Sequence, residues 1–173
     1  MMVLAIFFYV GAEVSMSSGI PVLMKEQFGI VEVGLRVSWT LFFLPILVSR
    51  FTGGLILRKL KPTHCFVITV IVAITVLIFI FLDVKFLTFL GIVMVGLGYA
   101  NIFPLVFSIS VDHMPERTNE LSRLMVMAIA GGAFMPPVMG VVADHTSLLV
   151  GFMIPLAAIV YIFWAAMTNL RKI

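Results

Sequence analysis

The sequence predicts an all-α membrane protein of six transmembrane helices, and three observations carry that expectation. Of the 173 residues, 62% are hydrophobic and only 11% are charged, against roughly 25% charged in an average soluble domain. A water-soluble fold of this size could not hide so much apolar surface, so lipid must cover part of it. Six apolar runs approach or reach the roughly 20 residues needed to cross a hydrocarbon core of about 30 Å. Short charged or turn-forming stretches separate these runs, and Lys and Arg fall unevenly between the two sets of connections.

The runs lie at approximately Met2–Leu23, Val37–Leu57, Phe66–Leu82, Phe86–Val111, Leu124–Val142 and Leu148–Thr168. They are separated by KEQFGIVEVGLR, RKLKPTH, DVK, DHMPERTNELSR and DHTS. Connections this short make neighbouring helices antiparallel, and the length suits a single six-helix bundle over 1–173. The first run has no cation before Lys25. It therefore reads as a retained helix, since a secretory signal would want a positive n-region. One side of the membrane receives Arg58, Lys59, Lys61, Arg117, Arg123, Arg171 and Lys172, and the other Lys25, Arg36 and Lys85. That asymmetry places both termini of this multi-pass chain in the cytoplasm. Trp39 and Trp164 fall near span ends, where they act as interfacial anchors or, in the alternative, stack on a substrate.

Several function classes are excluded. No basic run resembles a nucleic-acid patch. The lone Cys65 rules out an internal disulfide and any cysteine-spaced metal cluster. No HExxH, GxSxG or phosphate-loop motif is present, so an enzyme is not expected. His64, His113 and His145 fall at span ends or in loops; His113 and Glu116 have a metal-like spacing, but Pro115 intervenes and no third ligand is evident. Neither a cofactor nor a metal is expected.

The polar residues at membrane depth carry the functional signal. Glu13 lies near the centre of the first run, Arg50 a few residues cytoplasmic of the centre of the second, and Asn101 near the centre of the fourth. Charges at that depth are costly and face a bundle interior or an aqueous cavity. Glu13 and Arg50 read either as a structural ion pair between consecutive helices or as direct participants in substrate or proton handling. As a fully buried pair, loss of one partner would cost about 3–5 kcal/mol. On a helix, Tyr9, Glu13 and Ser17 share one face, while Gly11, Ser15, Ser18 and Gly19 share roughly the opposite one. A polar stripe opposite a small-residue stripe suits a cavity-lining helix packed closely on a neighbour. Tyr9, Glu13, Asn101 and an aromatic such as Tyr99 or Phe103 supply the carboxylate, amide, hydroxyl and ring that a sugar would engage. Pro104 frees the carbonyl of Ala100, and Pro136 and Pro137 free those of Gly132 and Ala133. These are static kinks or bends used in a conformational cycle. The first and fourth runs both carry midplane polar residues, and the second and fifth end in GGLILRKLKP and GVVADH. The latter has the spacing Gly140-x-x-x-Asp144, with Gly54 and Arg58 at the corresponding place. Three spans per repeat would make the two repeats inverted.

Four segments carry a family resemblance. FFYVGAEVSMSSGIP (Phe7 to Pro21), SRFTGGLILRKLKP (Ser49 to Pro62), GLGYANIFPLVFSIS (Gly96 to Ser110) and SRLMVMAIAGGAFMPPVMGVVAD (Ser122 to Asp144) resemble, in order, the seventh, eighth, tenth and eleventh helices of the fucose–galactose–glucose:proton symporter family of the major facilitator superfamily. The resemblance implies the C-terminal half of that fold, two inverted three-helix repeats, whose first and fourth helices line a central cavity. By position, Tyr9, Glu13, Ser17, Tyr99 and Asn101 would then bind a monosaccharide. The implied activity is proton-coupled secondary transport in a cell inner membrane. It implies as partners the sugar, the coupling proton, the lipid bilayer, and either a missing N-terminal six-helix half or a second copy. A competing expectation is an inactive fragment or a structural membrane subunit.

Overall fold

The structure is a computed structural model that describes residues 1–29, 33–56, 61–82 and 84–170, with the side chains of 33–39, 53–56, 76, 169 and 170 outside that description. The helices are α1 (Met2–Phe28), α2 (Val33–Ile56), α3 (Pro62–Phe81), α4 (Lys85–Tyr99), α5 (Ile102–His113), α6 (Thr118–Ala128), α7 (Gly131–His145), α8 (Leu148–Gly151) and α9 (Met153–Leu170), with a 3-10 turn at Pro115–Arg117. Among the described residues, five stretches are long and apolar enough to cross a membrane: Met2–Phe28, Pro62–Phe81, Lys85–His113, Pro115–His145 and Leu148–Thr168. The expected second span corresponds to α2, whose described apolar stretch is shorter and runs over Thr40–Thr52. The Arg58, Lys59, Arg171 and Lys172 used in the orientation argument, and the Trp39 side chain, lie outside the described residues.

The expected spans are present, but their edges and continuity differ. Helix α1 runs past the expected Leu23 to Phe28 and is capped by Gly29 at φ 64°. Helix α3 begins at Pro62, where proline occupies the first helical position. Polar and charged residues at these ends lower the hydropathy without breaking the hydrogen-bond ladder. The fourth, fifth and sixth spans are each interrupted. The breaks fall at Ala100–Asn101, at Ile129–Ala130 and at Phe152. The first lies one turn before Pro104, whose ring has no N–H to give and crowds the preceding turn. The second lies one turn and more before Pro136, and is bridged by the short-range bonds Gly132 N–H to Ile129 O (3.0 Å) and Ala133 N–H to Ala130 O (2.8 Å).

Helix packing follows a two-fold pattern. Helix α1 packs on α6–α7 and on α9, while α4 packs on α2 and on α3, and α3 packs on α9. Exchanging the first three spans with the last three leaves this set unchanged, as two inverted repeats require. Glycine permits both of the central crossings. A Cβ on Gly131 would fall on the Phe7 carbonyl oxygen of α1, and one on Gly96 would meet the Phe42 carbonyl oxygen of α2. Backbones that touch in this way gain dispersion energy that larger side chains would forbid. The small-residue face of α1 therefore holds in part. Gly11 and Gly19 lie against Met135 and Met139 of α7. Ser15 is buried, but Ser18 is exposed and returns its hydroxyl to the Val14 and Ser15 carbonyls.

Candidate functional site

The site forms where α1 and α2 meet the α4–α5 break. Glu13 lies midway along α1 with 16% of its side chain exposed, and its Oε1 is 3.7 Å from Arg50 Nη2 of α2. The two charges thus approach as their depths in the sequence imply. Arg50 is 52% exposed, so the pair is only half withdrawn from its surroundings. Its energetic weight falls toward that of exposed pairs, about 1 kcal/mol or less, and below the figure for a fully buried pair.

The second anchor of Arg50 is a carbonyl. Its Nε–H donates to Ala100 O at 3.4 Å, the acceptor that Pro104 deprives of a helical partner. Adjacent Ser49, which is buried, donates from Oγ to Leu97 O at 3.2 Å. Asn101 in turn donates from Nδ2 to Ser49 Oγ at 3.0 Å and to Ser49 O at 3.4 Å. Two consecutive residues of α2 therefore grip the interrupted helix at its break and one turn before it. Among the described residues the amide oxygen of Asn101 accepts no hydrogen bond, so it retains acceptor capacity.

Two tyrosines lie beside the Glu13–Arg50 pair. Tyr9 and Tyr99 are buried, with ring centroids 5.9 Å apart, and Phe42 packs on Tyr99 at 6.3 Å. Tyr9 interacts electrostatically with Glu13 and Arg50, and Tyr99 with Tyr9 and Glu13. The Tyr99 hydroxyl has no hydrogen-bond partner among the described residues, whereas the Tyr9 hydroxyl lies close enough to Glu13 and Arg50 to interact with both. A buried hydroxyl left unpaired costs about 1–3 kcal/mol. Ser17, one turn along α1 from Glu13, is half-buried and returns its hydroxyl to Val14 O at 2.9 Å. Of the five candidates, then, Glu13 and Tyr9 lie by Arg50, Tyr99 packs on Tyr9, Asn101 joins them through Ser49, and Ser17 lies one turn further along α1. Phe103 is half-buried and packs against the core.

The sequence reading did not single out Ser49. A serine in an apolar helix usually bonds its own preceding turn, and only its position next to Arg50, opposite a proline-freed carbonyl, could have raised it.

Five stretches long and apolar enough to cross a membrane, with the shorter apolar stretch of α2, form two exchangeable triplets that bring a carboxylate and an arginine together. Residues 2–172 match the family model described as Major Facilitator Superfamily, and the chain belongs to that superfamily. A glucose/galactose transporter of Brucella abortus is 27% identical over 161 residues, which are 92% of this chain and 39% of the relative. The L-fucose-proton symporter of Escherichia coli is 24% identical over 143 residues, 82% of this chain and 33% of the relative. The crystal structure of the major facilitator transporter FucP in its outward conformation superposes with a TM-score of 0.90 at 23% identity, over 97% of this chain and 41% of that one. The chain thus spans about two-fifths of the length of the relatives it matches.

Proposed function

We propose that this chain is the C-terminal six-helix bundle, a single domain over 1–173, of a monosaccharide transporter of the fucose, glucose or galactose type. Transport is coupled to protons and proceeds by alternating access, as the bundle rocks against a second bundle around a midplane site. Tyr9, Glu13, Ser17, Tyr99 and Asn101 contribute to the sugar site. Both termini face the cytoplasm, and the membrane is the cell membrane.

The observation that carries this reading is the half-exposed Arg50–Glu13 pair and the groups beside it. A carboxylate, a half-exposed guanidinium and an amide with an unused oxygen converge at membrane depth. Turned to lipid, they would be costly; turned to an aqueous cavity, they are solvated when empty and meet hydroxyls when occupied. The names borne by the Brucella and E. coli relatives support a hexose or deoxyhexose as the ligand. A second reading, a structural membrane subunit or inactive fragment with no substrate of its own, draws on the share of the relatives' length that the chain spans. Uptake of labelled fucose, glucose and galactose into proteoliposomes separates the two. The chain is reconstituted with the N-terminal bundle of a related transporter, with and without an inward proton gradient. Gradient-stimulated uptake that needs both bundles is expected; uptake equal to that of the N-terminal bundle alone would refute the proposal.

A further inference from the structure

We propose that Arg50 is a positioning residue that ties the state of Glu13 to the geometry of the α4–α5 break. The argument starts from Pro104. With no N–H at that position, Ala100 O loses its intrahelical donor, and a carbonyl left alone at membrane depth costs several kcal/mol. Arg50 Nε–H supplies the missing donor at 3.4 Å. The same side chain reaches Glu13 with Nη2 at 3.7 Å. One planar guanidinium, with its donors fixed relative to one another, therefore spans from α1 to the broken helix. Ser49 holds α4 just before the break through Leu97 and the break itself through Asn101, so the break is fastened to α2 at two successive residues. A bend fastened in this way is a hinge with a defined rest position rather than a loose joint.

The consequence is directional. While Glu13 engages Arg50, the guanidinium is held against Ala100 O and the turn at Ala100–Asn101 keeps its position. A ligand group that competes for the Glu13 carboxylate removes one of the two anchors of Arg50, and the hold on Ala100 O loosens. On the transport reading above, on which this last step rests, sugar bound at Glu13 would relax the bend in the fourth span. The link between Glu13, Arg50 and the break does not depend on transport and is tested without it.

The test is amide hydrogen exchange at Leu105 and Val106, just past the break, in the full chain in lipid nanodiscs. Leu105 N–H bonds Asn101 O at 3.1 Å, so its protection reports the turn. Arg50→Gln is expected to speed exchange there about tenfold, in line with loss of one hydrogen bond from a charged donor. Pro104→Ala restores the N–H that Ala100 O lacks, and in that background Arg50→Gln is expected to change exchange by less than about threefold. A merely structural role for Arg50 would give the same increase in both backgrounds, and that result would overturn the proposal. Glu13→Gln is expected to speed exchange about threefold with Arg50 present and not at all in Arg50→Gln. No change with Arg50 present would overturn the link to Glu13. If Arg50→Gln does not fold, recovery of folding on adding Pro104→Ala supports the proposal, and failure to recover contradicts it.

Discussion

Replacing Gly131 with alanine tests the packing on which the site rests. Gly131 opens α7, and an added Cβ would fall on the Phe7 carbonyl oxygen, with the Phe7 carbonyl carbon and Cα close behind it. All three are backbone atoms of α1, so no rotamer change relieves the overlap and the two helices must part. Overpacking of this kind costs about 1–3 kcal/mol, and the absence of a flexible neighbour puts Gly131→Ala at the upper end. Gly140, nine residues along the same helix, is the internal control. Nothing lies within 4 Å of its added Cβ, and glycine to alanine inside a helix gains about 0.5–1 kcal/mol. The two variants are thus expected to differ in unfolding free energy by about 2–4 kcal/mol, with Gly131→Ala the less stable. Equilibrium unfolding in mixed detergent and SDS micelles, followed by helical circular dichroism, measures that difference. Equal stability of the two variants would refute the backbone contact between α1 and α7.

Two further outcomes follow from the same geometry. In a double-mutant cycle, Glu13→Gln and Arg50→Gln are expected to show a coupling energy of about 0.5–1.5 kcal/mol, because the guanidinium is half-exposed; strictly additive losses would mean that the 3.7 Å approach carries no energy. For orientation, a cysteine at Glu26, exposed near the end of α1, is expected to react with an impermeant maleimide from outside intact cells when Cys65 is replaced by serine. Labelling only in inverted vesicles would reverse the assignment of the termini.

The spans were legible because hydropathy over some 20 residues is set by the bilayer and hardly by neighbouring helices. The approach of Glu13 to Arg50 was legible for a related reason: two charges at similar depth on consecutive helices have few other partners. The breaks were legible only in part. Pro104 announced the freed Ala100 carbonyl, yet Pro136 and Pro137 lie inside the continuous helix α7, and the interruption at Ile129–Ala130 falls before the turn they disturb. The ends of α1 and α3 were placed too early and too late, since Lys25, Glu26, Thr63 and His64 lower hydropathy while remaining helical. Which way the tyrosines face was not legible at all. Tyr9 shares a helical face with Glu13 and Ser17, but the crossing with α4, and not the periodicity of α1, turns its ring into the core against Tyr99. Ser49 was invisible for the same reason, since its partners Leu97 and Asn101 are brought to it only by the packing of α4 on α2.

The most direct test of the account is sugar affinity at the Glu13 cluster when a second bundle is supplied. Equilibrium binding of fucose, glucose and galactose would be measured for the reconstituted pair carrying the unaltered chain, Glu13→Gln or Asn101→Ala, with folding checked by thermal unfolding of each. Loss of a hydrogen bond to a charged acceptor should weaken binding about tenfold or more for Glu13→Gln, and loss of a neutral one about threefold to tenfold for Asn101→Ala. Unchanged affinity in both folded variants would contradict the site, while leaving the chain's place in the major facilitator superfamily intact.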